Sequence, residues 1–426
     1  MIGLAPPPAA PAGPEIPLAS LAAPLLDTKA RYVIMSSSKP YRPEKIFLSH
    51  EAESCPGTRL VLERLPDVPV TRIDDPDPLV RPPAPPAETL TAGKKSLLLV
   101  RHHGRFFKPC PGRQARQGTT NVCCGYYVIN FATNCPLECT YCFLQGYLTN
   151  PYVTVFANLD DLLADVQTAL RELDNRPLRV GTGELTDSLA LDHLIDYARP
   201  LVELFARQSH AVLELKTKTD AIDHLLGLDH RGRTVLAWSL NAPEIQQREE
   251  LKTASLGARL RAARRAVDAG YPVAFHFDPL VWFAGWREAY AGVIEQLFDS
   301  VPSSATAWIS LGALRVPPGQ PEIMRRRFPK SPLPYGEFVT APDGKLRYFK
   351  PLRIELYGAV LSELRRRAPE VKVYLCMERP DVHPHLNGIP AYRDEVLGEW
   401  LARDLPVLQP ASRQDLPPSG RSQSAG

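Results

Sequence analysis

The stretch GYYVINFATNCPLECTYC, residues 125–142, joins a strand-like run to a group of closely spaced cysteines. The run at 125–132 is rich in aromatic and β-branched residues, as buried strands are. The cysteines that follow it are Cys135, Cys139 and Cys142. Thiolates are the usual ligands of iron–sulfur clusters, and three of them leave one iron of a four-iron cluster open. A structural zinc site would need a fourth ligand from elsewhere in the chain.

Strand-like and helix-like segments alternate beyond this stretch. The predicted strands cover residues 125–132, 177–183, 211–217, 234–241, 271–280, 305–314 and 371–378. The predicted helices cover residues 159–173, 189–208, 221–228, 255–269, 286–298 and 351–367. Repeated strand–helix units with apolar strands indicate an α/β fold with a parallel sheet, closed or partly closed. In such barrels the chemistry lies at the carboxyl ends of the strands.

Prolines concentrate outside this alternating region. The chain has 44 prolines in 426 residues. We expect a disordered Pro/Ala-rich tail at 1–34 and a small module with a Pro-rich linker at 35–104. The strand–helix region then covers 105–385, and a helix with a disordered tail covers 386–426. No run of 18 apolar residues exists, so we expect no membrane span.

Charge and cysteine content narrow the class of protein. The net charge of +3 is too small to indicate a nucleic-acid partner by itself. Eight cysteines in a chain of this length are too few for a disulfide scaffold. The N-terminus is broken by prolines and lacks a basic region, which makes it a poor signal peptide. We therefore expect a reducing, cytoplasmic location, where cysteines more often bind metals or react.

A second motif ends the second predicted strand. It is Gly181-Thr-Gly-Glu184, in which small residues allow a close backbone approach and a carboxylate suits an ammonium group. A plain tight turn is the alternative interpretation. His276 and Asp278 also end a strand and are weaker candidates for the same cavity.

The CxxxCxxC spacing, with an aromatic residue before the last cysteine, resembles the radical S-adenosylmethionine (AdoMet) enzymes. The resemblance implies that Cys135, Cys139 and Cys142 hold a [4Fe–4S] cluster whose open iron chelates AdoMet. It implies a partial (β/α)6 barrel of the TIM type. It also assigns Tyr141 to the adenine and to the catalytic centre, and Gly181, Gly183 and Glu184 to the methionyl amino group. A buried core tyrosine is the alternative for Tyr141.

A narrower resemblance rests on several stretches in the expected order. They are CxYCxLQ (139–145), NLDD (158–161), TDxxxLDH (186–193), TKxxxxDHLL (217–226), SLN (239–241), RLxAARxxxDAGYPV (259–273) and GWxxxY (285–290). Together they look like spore photoproduct lyase and its wider family. FKPCPG…CCGYYVIN (107–130) and YLCME (374–378) look like a non-spore branch. Carried over, Thr186 and Lys218 are AdoMet-binding positions, and Asn241 is a weaker one.

The resemblance implies a carbon–carbon lyase that repairs a methylene-bridged thymine dimer in DNA. In the lyase, a cysteine returns hydrogen to the product radical through a tyrosine relay. Here the cysteine position is Glu184 and the tyrosine position is Phe143. Neither side chain is a good hydrogen-atom donor. The sequence therefore supports cleavage of AdoMet better than it supports the lyase's final step.

Four other cysteines lie near the predicted site: Cys110, Cys123, Cys124 and Cys376. Cys376 ends the last predicted strand, so it is the preferred candidate for a catalytic hydrogen donor. A buried apolar thiol is the alternative. Cys110, Cys123 and Cys124 are candidates for a second metal or for the fourth ligand of a zinc site.

Basic residues precede the cluster stretch. Residues 89–137 contain no Asp or Glu but carry seven Lys and Arg residues. They are Lys94, Lys95, Arg101, Arg105, Lys108, Arg113 and Arg116. With Phe106 and Phe107 they could hold a phosphate backbone and stack on a flipped base, or form a solvated loop. A second patch, at 325–330, has a solvated helix face as its alternative.

We expect a partner that is DNA or another nucleic acid, and an electron donor such as flavodoxin or ferredoxin. Two other functions stay open. One is a related radical reaction on another nucleic acid or a small substrate. The other is an iron–sulfur or zinc protein that binds nucleic acid without catalysis.

Overall fold

A computed structural model describes residues 39–74, 76, 87–111, 121–173, 176–390 and 394–406. The predicted tail at 1–34, most of the Pro-rich linker, the final residues 407–426, and Arg113 and Arg116 lie outside the described residues. Within the described residues, no helix is long and apolar enough to cross a membrane.

The strands are numbered in chain order. They are β1 Lys45–Ser49, β2 Val70–Ile73, β3 Ser96–Val100, β4 Phe107–Pro109, β5 Tyr127–Ile129, β6 Ala132–Thr133, β7 Glu138–Cys139, β8 Val153–Phe156 and β9 Leu178–Gly181. They continue with β10 Ala211–Thr217, β11 Thr234–Ser239, β12 Glu250–Leu251, β13 Val273–Leu280, β14 Thr306–Ala313, β15 Arg315–Val316, β16 Val339–Thr340, β17 Leu346–Arg347 and β18 Val373–Leu375.

The α-helices are identified by their bounds. They cover Pro56–Arg64, Ala87–Gly93, Leu144–Tyr147, Leu159–Glu172, Asp192–Ile195, Ala198–Phe205, Pro243–Glu249, Leu256–Asp268, Trp286–Ser300, Gln320–Arg327, Lys350–Arg367 and Asp394–Ala402.

The main sheet contains eight strands in the order β18-β14-β13-β11-β10-β9-β5-β4. All neighbours from β5 to β18 pair in parallel, and β4 pairs antiparallel with β5 at one edge. Its central strands are apolar on both faces, and every residue of β11 and β14 is buried. Buried strands of this kind require helices on one side and a filled interior on the other. The predicted parallel, partial barrel is confirmed: its seven parallel strands lie in the seven segments predicted as strands, one more than a (β/α)6 barrel contains.

A second sheet supports the cluster stretch. Its order is β2-β1-β3-β8-β6, with β6 antiparallel to β8. Strands β1 to β3 come from the segment before residue 104, whereas β6 and β8 flank the cysteine loop. The N-terminal strands therefore share a sheet with the region that carries the cysteines.

Two predicted helices differ from the structure. The helix expected at 189–208 is broken, because Asp196 adopts a left-handed conformation with φ 49°. Asp192 also accepts a hydrogen bond from the backbone N–H of Ala198 at 3.0 Å, which starts the next helix. The helix expected at 221–228 is wrong. Its backbone forms short turns, such as Leu225 N–H to the Ile222 carbonyl at 2.9 Å.

Candidate active site

A cavity of about 410 Å³ is lined by residues that follow the carboxyl ends of the main-sheet strands. Seven of the eight cysteines line it: Cys110, Cys123, Cys124, Cys135, Cys139, Cys142 and Cys376. Five other predicted site residues line it as well: Tyr141, Gly183, Glu184, Thr186 and Lys218. The strands therefore bring most of the predicted site together. Gly181 and Asn241 are not part of the lining.

The cluster loop, residues 134–142, begins at a strained residue. Asn134 has φ 65°, a left-handed conformation that asparagine tolerates better than most residues. Its side-chain oxygen accepts a hydrogen bond from the Cys135 N–H at 3.0 Å. Its amide nitrogen donates to the Pro151 carbonyl at 2.9 Å. Asn134 thus fixes the direction in which the loop leaves β6.

A distant segment holds the middle of the cluster loop. Strand β12 pairs antiparallel with β7, so that Glu250 lies opposite Cys139. The Thr140 N–H donates to the Glu249 carbonyl at 2.8 Å. The amide of Gln320 donates to the carbonyls of Tyr141 and Cys142, each at 3.0 Å. The loop backbone is therefore held in place by protein contacts.

The thiols of the cluster loop lie in a desolvated environment. Burial raises the pKa of Cys135 to about 12, with further increases from Asp187 and Cys142 and a decrease from Lys94. Burial also raises the pKa of Cys139, against the influence of Lys218. Thiols grouped in a desolvated site are unfavourable as bare thiolates, but a cationic metal centre stabilises them. The donor set therefore fits an iron–sulfur cluster.

Among the described residues, no group of three or more His, Cys, Asp or Glu side chains is arranged to hold a single metal ion. This is true of Cys135, Cys139 and Cys142 as well as of Cys110, Cys123 and Cys124. A fourth zinc ligand and a second metal at Cys110, Cys123 and Cys124 therefore stay predictions.

Tyr141 belongs to a buried polar network that the sequence did not reveal. Its hydroxyl donates to Glu250, which also pairs with Arg259 at 2.7 Å. The Nζ of Lys218 lies 3.9 Å from the same carboxylate. Burial alone would raise the pKa of Glu250, but Lys218, Arg259 and the Tyr141 hydroxyl outweigh it and lower the pKa to about 2. A permanent carboxylate thus fixes the Tyr141 ring at the cavity.

Asp187 organises the loop after the GTGE motif, and it too was missed. Its Oδ1 accepts hydrogen bonds from two backbone N–H groups and from the Thr217 hydroxyl at 2.7 Å. Its Oδ2 accepts from the Lys218 N–H at 2.7 Å. The signal that could have found it is an aspartate at the start of a turn, where a short carboxylate caps following N–H groups.

Thr186 and Glu184 fit a polar ligand. The Thr186 hydroxyl is buried and has no hydrogen-bond partner in the structure. An unpaired buried hydroxyl is costly, so this oxygen is suited to a bound molecule. Burial raises the pKa of Glu184, although Lys216 and Lys108 oppose the shift.

The remaining predicted cofactor residues have structural surroundings. A Cβ at Gly181 would collide with the Tyr126 hydroxyl, and a Cβ at Gly183 would come within 3.1 Å of the Ser188 hydroxyl. Asn241 is buried and accepts a hydrogen bond from the Tyr290 hydroxyl at 2.8 Å. Close packing is thus one reason why glycine occupies positions 181 and 183.

A second group of residues, here called the strand network, comes from separate strands. It comprises Arg179, Glu214, His276, Asp278 and Arg315, all of which line the cavity. The Nε2 of His276 lies 2.6 Å from one oxygen of Glu214, and the Arg179 Nε lies 3.5 Å from the other. Burial would raise the pKa of Glu214, but Arg179 and His276 lower it below the ordinary range. Arg179 itself is 3% exposed, and its Nε and Nη1 have no hydrogen-bond partner within the described part of the chain.

Asp278 and Arg315 complete the strand network. Both guanidinium nitrogens of Arg315 donate to Asp278, at 3.2 and 3.0 Å. The Arg315 Nη2 also donates to the Cys376 sulfur at 3.9 Å. The sequence suggested His276 and Asp278 as weak candidates, and the structure places both at the cavity.

The predicted stacking role of Phe106 and Phe107 is wrong. Both side chains are buried in the core, at 2% and 4% exposure. Phe107 stacks on Tyr127, and Phe106 packs against His102 and Phe156. An aromatic ring that is packed inside the core cannot stack on a nucleic-acid base.

Most described charges of the basic stretch are paired. Arg101 lies 2.6 Å from Asp161, Arg105 lies 3.4 Å from Asp165, and Lys94 donates to the Leu137 carbonyl at 2.7 Å. In the second patch, Arg327 forms a buried ion pair of 2.7 Å with Glu138 of the cluster loop. Arg325 and Arg326 pair with Glu322 on their own helix. The ion pairs of Lys94 and Arg327 with Glu138 are buried, whereas the pairs of Arg101, Arg105, Arg325 and Arg326 are exposed.

A family model described as spore photoproduct lyase matches residues 113–339, more than half of the chain. The chain belongs to the spore photoproduct lyase family. Spore photoproduct lyase of Geobacillus sp. (strain Y412MC61) is 30% identical over 215 residues, which cover 50% of this chain and 63% of that protein. The Bacillus subtilis (strain 168) lyase is 28% identical over 214 residues, again 63% of its length. The chain thus matches less than two thirds of these relatives of the family.

Solved structures of the family share the fold. A mutant spore photoproduct lyase with bound dinucleoside spore photoproduct superposes with a TM-score of 0.70 at 24% identity, over 79% of this chain and 100% of that one. A second mutant, with AdoMet and the same dinucleoside, gives 0.68 at 24% identity, over 79% and 99%. The partial barrel of the radical AdoMet type is therefore the fold of this chain.

Proposed function

We propose that this protein is a radical AdoMet enzyme of the spore photoproduct lyase type. One observation carries the proposal: the three cysteines of the cluster loop, the end of the GTGE motif, Thr186 and Lys218 line a single cavity. The family has AdoMet bound in a solved structure, and the donor set here fits the same cofactors. A motif that arose by chance would not gather these side chains from three separate strands.

Cys135, Cys139 and Cys142 would hold a [4Fe–4S] cluster through their thiolates. When bound, the cluster supplies the electron that cleaves the sulfonium of AdoMet and releases a 5′-deoxyadenosyl radical. The chain itself then has to position AdoMet. Glu184 offers a carboxylate to the amino group, Thr186 an unpaired hydroxyl, and Tyr141 a ring fixed by Glu250.

Lys218 suits the carboxylate of AdoMet. Its backbone is fixed by Asp187, and its ammonium group lies beside the cavity with Glu250 at 3.9 Å. An ammonium group with one distant partner can still form a shorter, charge-assisted hydrogen bond. For Gly181 and Asn241 we propose indirect roles, because neither lines the cavity: Gly181 seats Tyr126, and Asn241 bonds Glu250 at 3.4 Å.

For the substrate we propose a thymine photoproduct in DNA, repaired by hydrogen abstraction and carbon–carbon scission. Lys216 and Lys345 place positive charge on the cavity wall, where a phosphate group would be attracted. Exposed aromatic rings take the role that Phe106 and Phe107 cannot. They are Phe143, Tyr147 and Trp282, at 40%, 61% and 48% exposure. Such rings can stack on unpaired bases.

We also propose a one-electron donor of the flavodoxin or ferredoxin class, since reductive cleavage of AdoMet consumes an electron.

A related radical reaction on another nucleic acid remains the second candidate. The observation that favours it is the pair of substitutions at the lyase's donor and relay positions, Glu184 and Phe143.

The test is anaerobic reconstitution with iron and sulfide, followed by AdoMet and dithionite. We expect a brown protein that releases 5′-deoxyadenosine, and faster release with DNA that contains the thymine photoproduct than with undamaged DNA. Thymine formation should be followed by mass spectrometry. A fully loaded cluster without AdoMet cleavage would contradict the enzyme assignment and favour the non-catalytic alternative. Cleavage without photoproduct repair would favour the second candidate.

A further inference from the structure

The proposed reaction leaves a carbon radical on the repaired product, and that radical needs a hydrogen atom. Glu184 and Phe143 cannot supply it, because the O–H bond of a carboxylic acid and the C–H bonds of a phenyl ring are too strong. Thiols have weak S–H bonds and are suitable donors. Four thiols outside the cluster loop line the same cavity: Cys110, Cys123, Cys124 and Cys376.

Cys376 has a fixed position at the cavity. Its N–H donates to the Leu311 carbonyl at 2.8 Å, so it sits directly after β18 and beside β14. The carboxyl ends of parallel strands are where barrel enzymes place reacting groups. The side chain is partly exposed and lines the cavity.

The strand network orients the Cys376 sulfur. Arg315 donates to the sulfur at 3.9 Å, and Asp278 holds Arg315 by two hydrogen bonds. An N–H donor occupies a sulfur lone pair, which leaves the S–H free to point elsewhere. Burial and Asp278 raise the pKa of Cys376 to about 12, although Arg315 opposes the shift. The group is therefore a neutral thiol that retains its hydrogen.

The neighbouring thiols are less suitable. Cys123 is buried at 2% exposure, and a hydrogen bond with Cys124 lowers its pKa. Cys124 is buried, and Arg179 donates to its sulfur at 3.3 Å. Cys124 belongs to a small apolar cluster against which Cys376 packs. Cys124 is thus the appropriate competitor in a test.

We propose that Cys376 is the hydrogen-atom donor that ends the reaction, with Arg315 and Asp278 as positioning residues. The Sγ–H bond breaks homolytically, the hydrogen atom forms a C–H bond on the product radical, and a neutral thiyl radical remains. One electron from a flavodoxin- or ferredoxin-type donor and one proton from water restore the thiol. This inference rests on the proposed function.

The test is a single turnover of dinucleoside spore photoproduct in D₂O, in which thiols carry deuterium. The wild-type protein should form repaired dinucleoside with one deuterium. In Cys376→Ser, which nearly keeps the side-chain shape, repaired product should fall at least about tenfold, while 5′-deoxyadenosine release changes less than about twofold. Cys124→Ser and Cys55→Ser should match the wild type.

Several outcomes would overturn the inference. One is that Cys376→Ser forms as much deuterated product as the wild type. Another is that Cys124→Ser, and not Cys376→Ser, loses the repaired product. We expect about four irons per chain in both proteins; about eight in the wild type and about four in Cys376→Ser would instead make Cys376 a ligand of a second cluster. Failure of the proposed function is recognised separately, because the wild-type protein would then release no 5′-deoxyadenosine.

Discussion

The cluster loop and the strand network line the same cavity but are built in different ways. Residues 134–142 form one continuous loop, so the spacing of the cysteines is a property of local sequence. The strand network takes Arg179, Glu214, His276 and Arg315 from four different strands. A loop can therefore be recognised by a motif, whereas a network of this kind is defined only by the sheet that assembles it.

The contacts of the two regions differ in the same way. The cluster loop is held mainly by its backbone, through Glu249, Gln320 and Asn134. The strand network is held by charged side chains that neutralise one another. We therefore expect changes in the loop to abolish chemistry with little effect on folding, and changes in the network to affect stability first.

The largest expected effect is at the cluster loop. Cys139→Ala removes one ligand, so AdoMet cleavage should fall to the level measured without protein. Backbone contacts of the loop persist, so thermal unfolding of the cluster-free protein should be unchanged. The measurements are 5′-deoxyadenosine release after reconstitution and calorimetry before it. Cys55→Ala, at a buried thiol outside the cavity, is the control, and cleavage by Cys139→Ala would contradict the assignment.

The second-largest expected effect is a loss of folding stability when the strand network is changed. Glu214→Gln leaves the buried Arg179 guanidinium without a counter-charge, which should cost about 3–5 kcal/mol in the free energy of unfolding. Urea denaturation measures it. The control is Glu322→Gln, an exposed carboxylate on the helix Gln320–Arg327, which should show no measurable change. Equal effects in both variants would remove the distinction between network and surface pairs.

The pH dependence sharpens this second prediction. The pKa of Glu214 in the folded protein is below its ordinary value of 4.5. Its charge therefore stabilises the fold above pH 4.5, and this stabilisation is lost as the pH falls through the folded pKa. Wild-type stability should decline from about pH 4.5 downwards, and the decline should be smaller in Glu214→Gln. If stability fell equally with pH in the two proteins, the stabilising role assigned to the Glu214 charge would be contradicted.

The smallest expected effect comes from a substitution of Thr186, which should weaken AdoMet binding without a change in folding stability. Thr186→Val removes a hydroxyl that has no hydrogen-bond partner among the described residues, so the free energy of unfolding should not change. If AdoMet uses that hydroxyl, its KM should rise about fivefold, on the order of 1 kcal/mol. Thr58→Val is the control: its hydroxyl donates to the Ala52 carbonyl at 2.7 Å, so stability should fall and KM should not move.

Several site residues could be predicted because their signals are local. The cysteine spacing, the GTGE motif and the position of Cys376 after a strand all lie within a few residues of the chain. Glu250 was missed because its role depends on partners far away in sequence, such as Tyr141 at 109 residues. Asp187 has a local turn signal, but its bond to Thr217, 30 residues away, is not visible in the sequence. Phe106 and Phe107 were misassigned because an aromatic pair beside basic residues looks the same whether it faces solvent or the core.

The sequence by itself determined the alternation of strands and helices, the family and the cluster loop. Backbone preference, hydrophobic period and ligand spacing are short-range properties, and they do not depend on how the sheet curls. The tertiary structure alone decided which charges neutralise each other and which buried hydroxyl stays unpaired. Those features depend on burial, since removal of water makes each polar partner matter, and burial exists only after distant strands have come together.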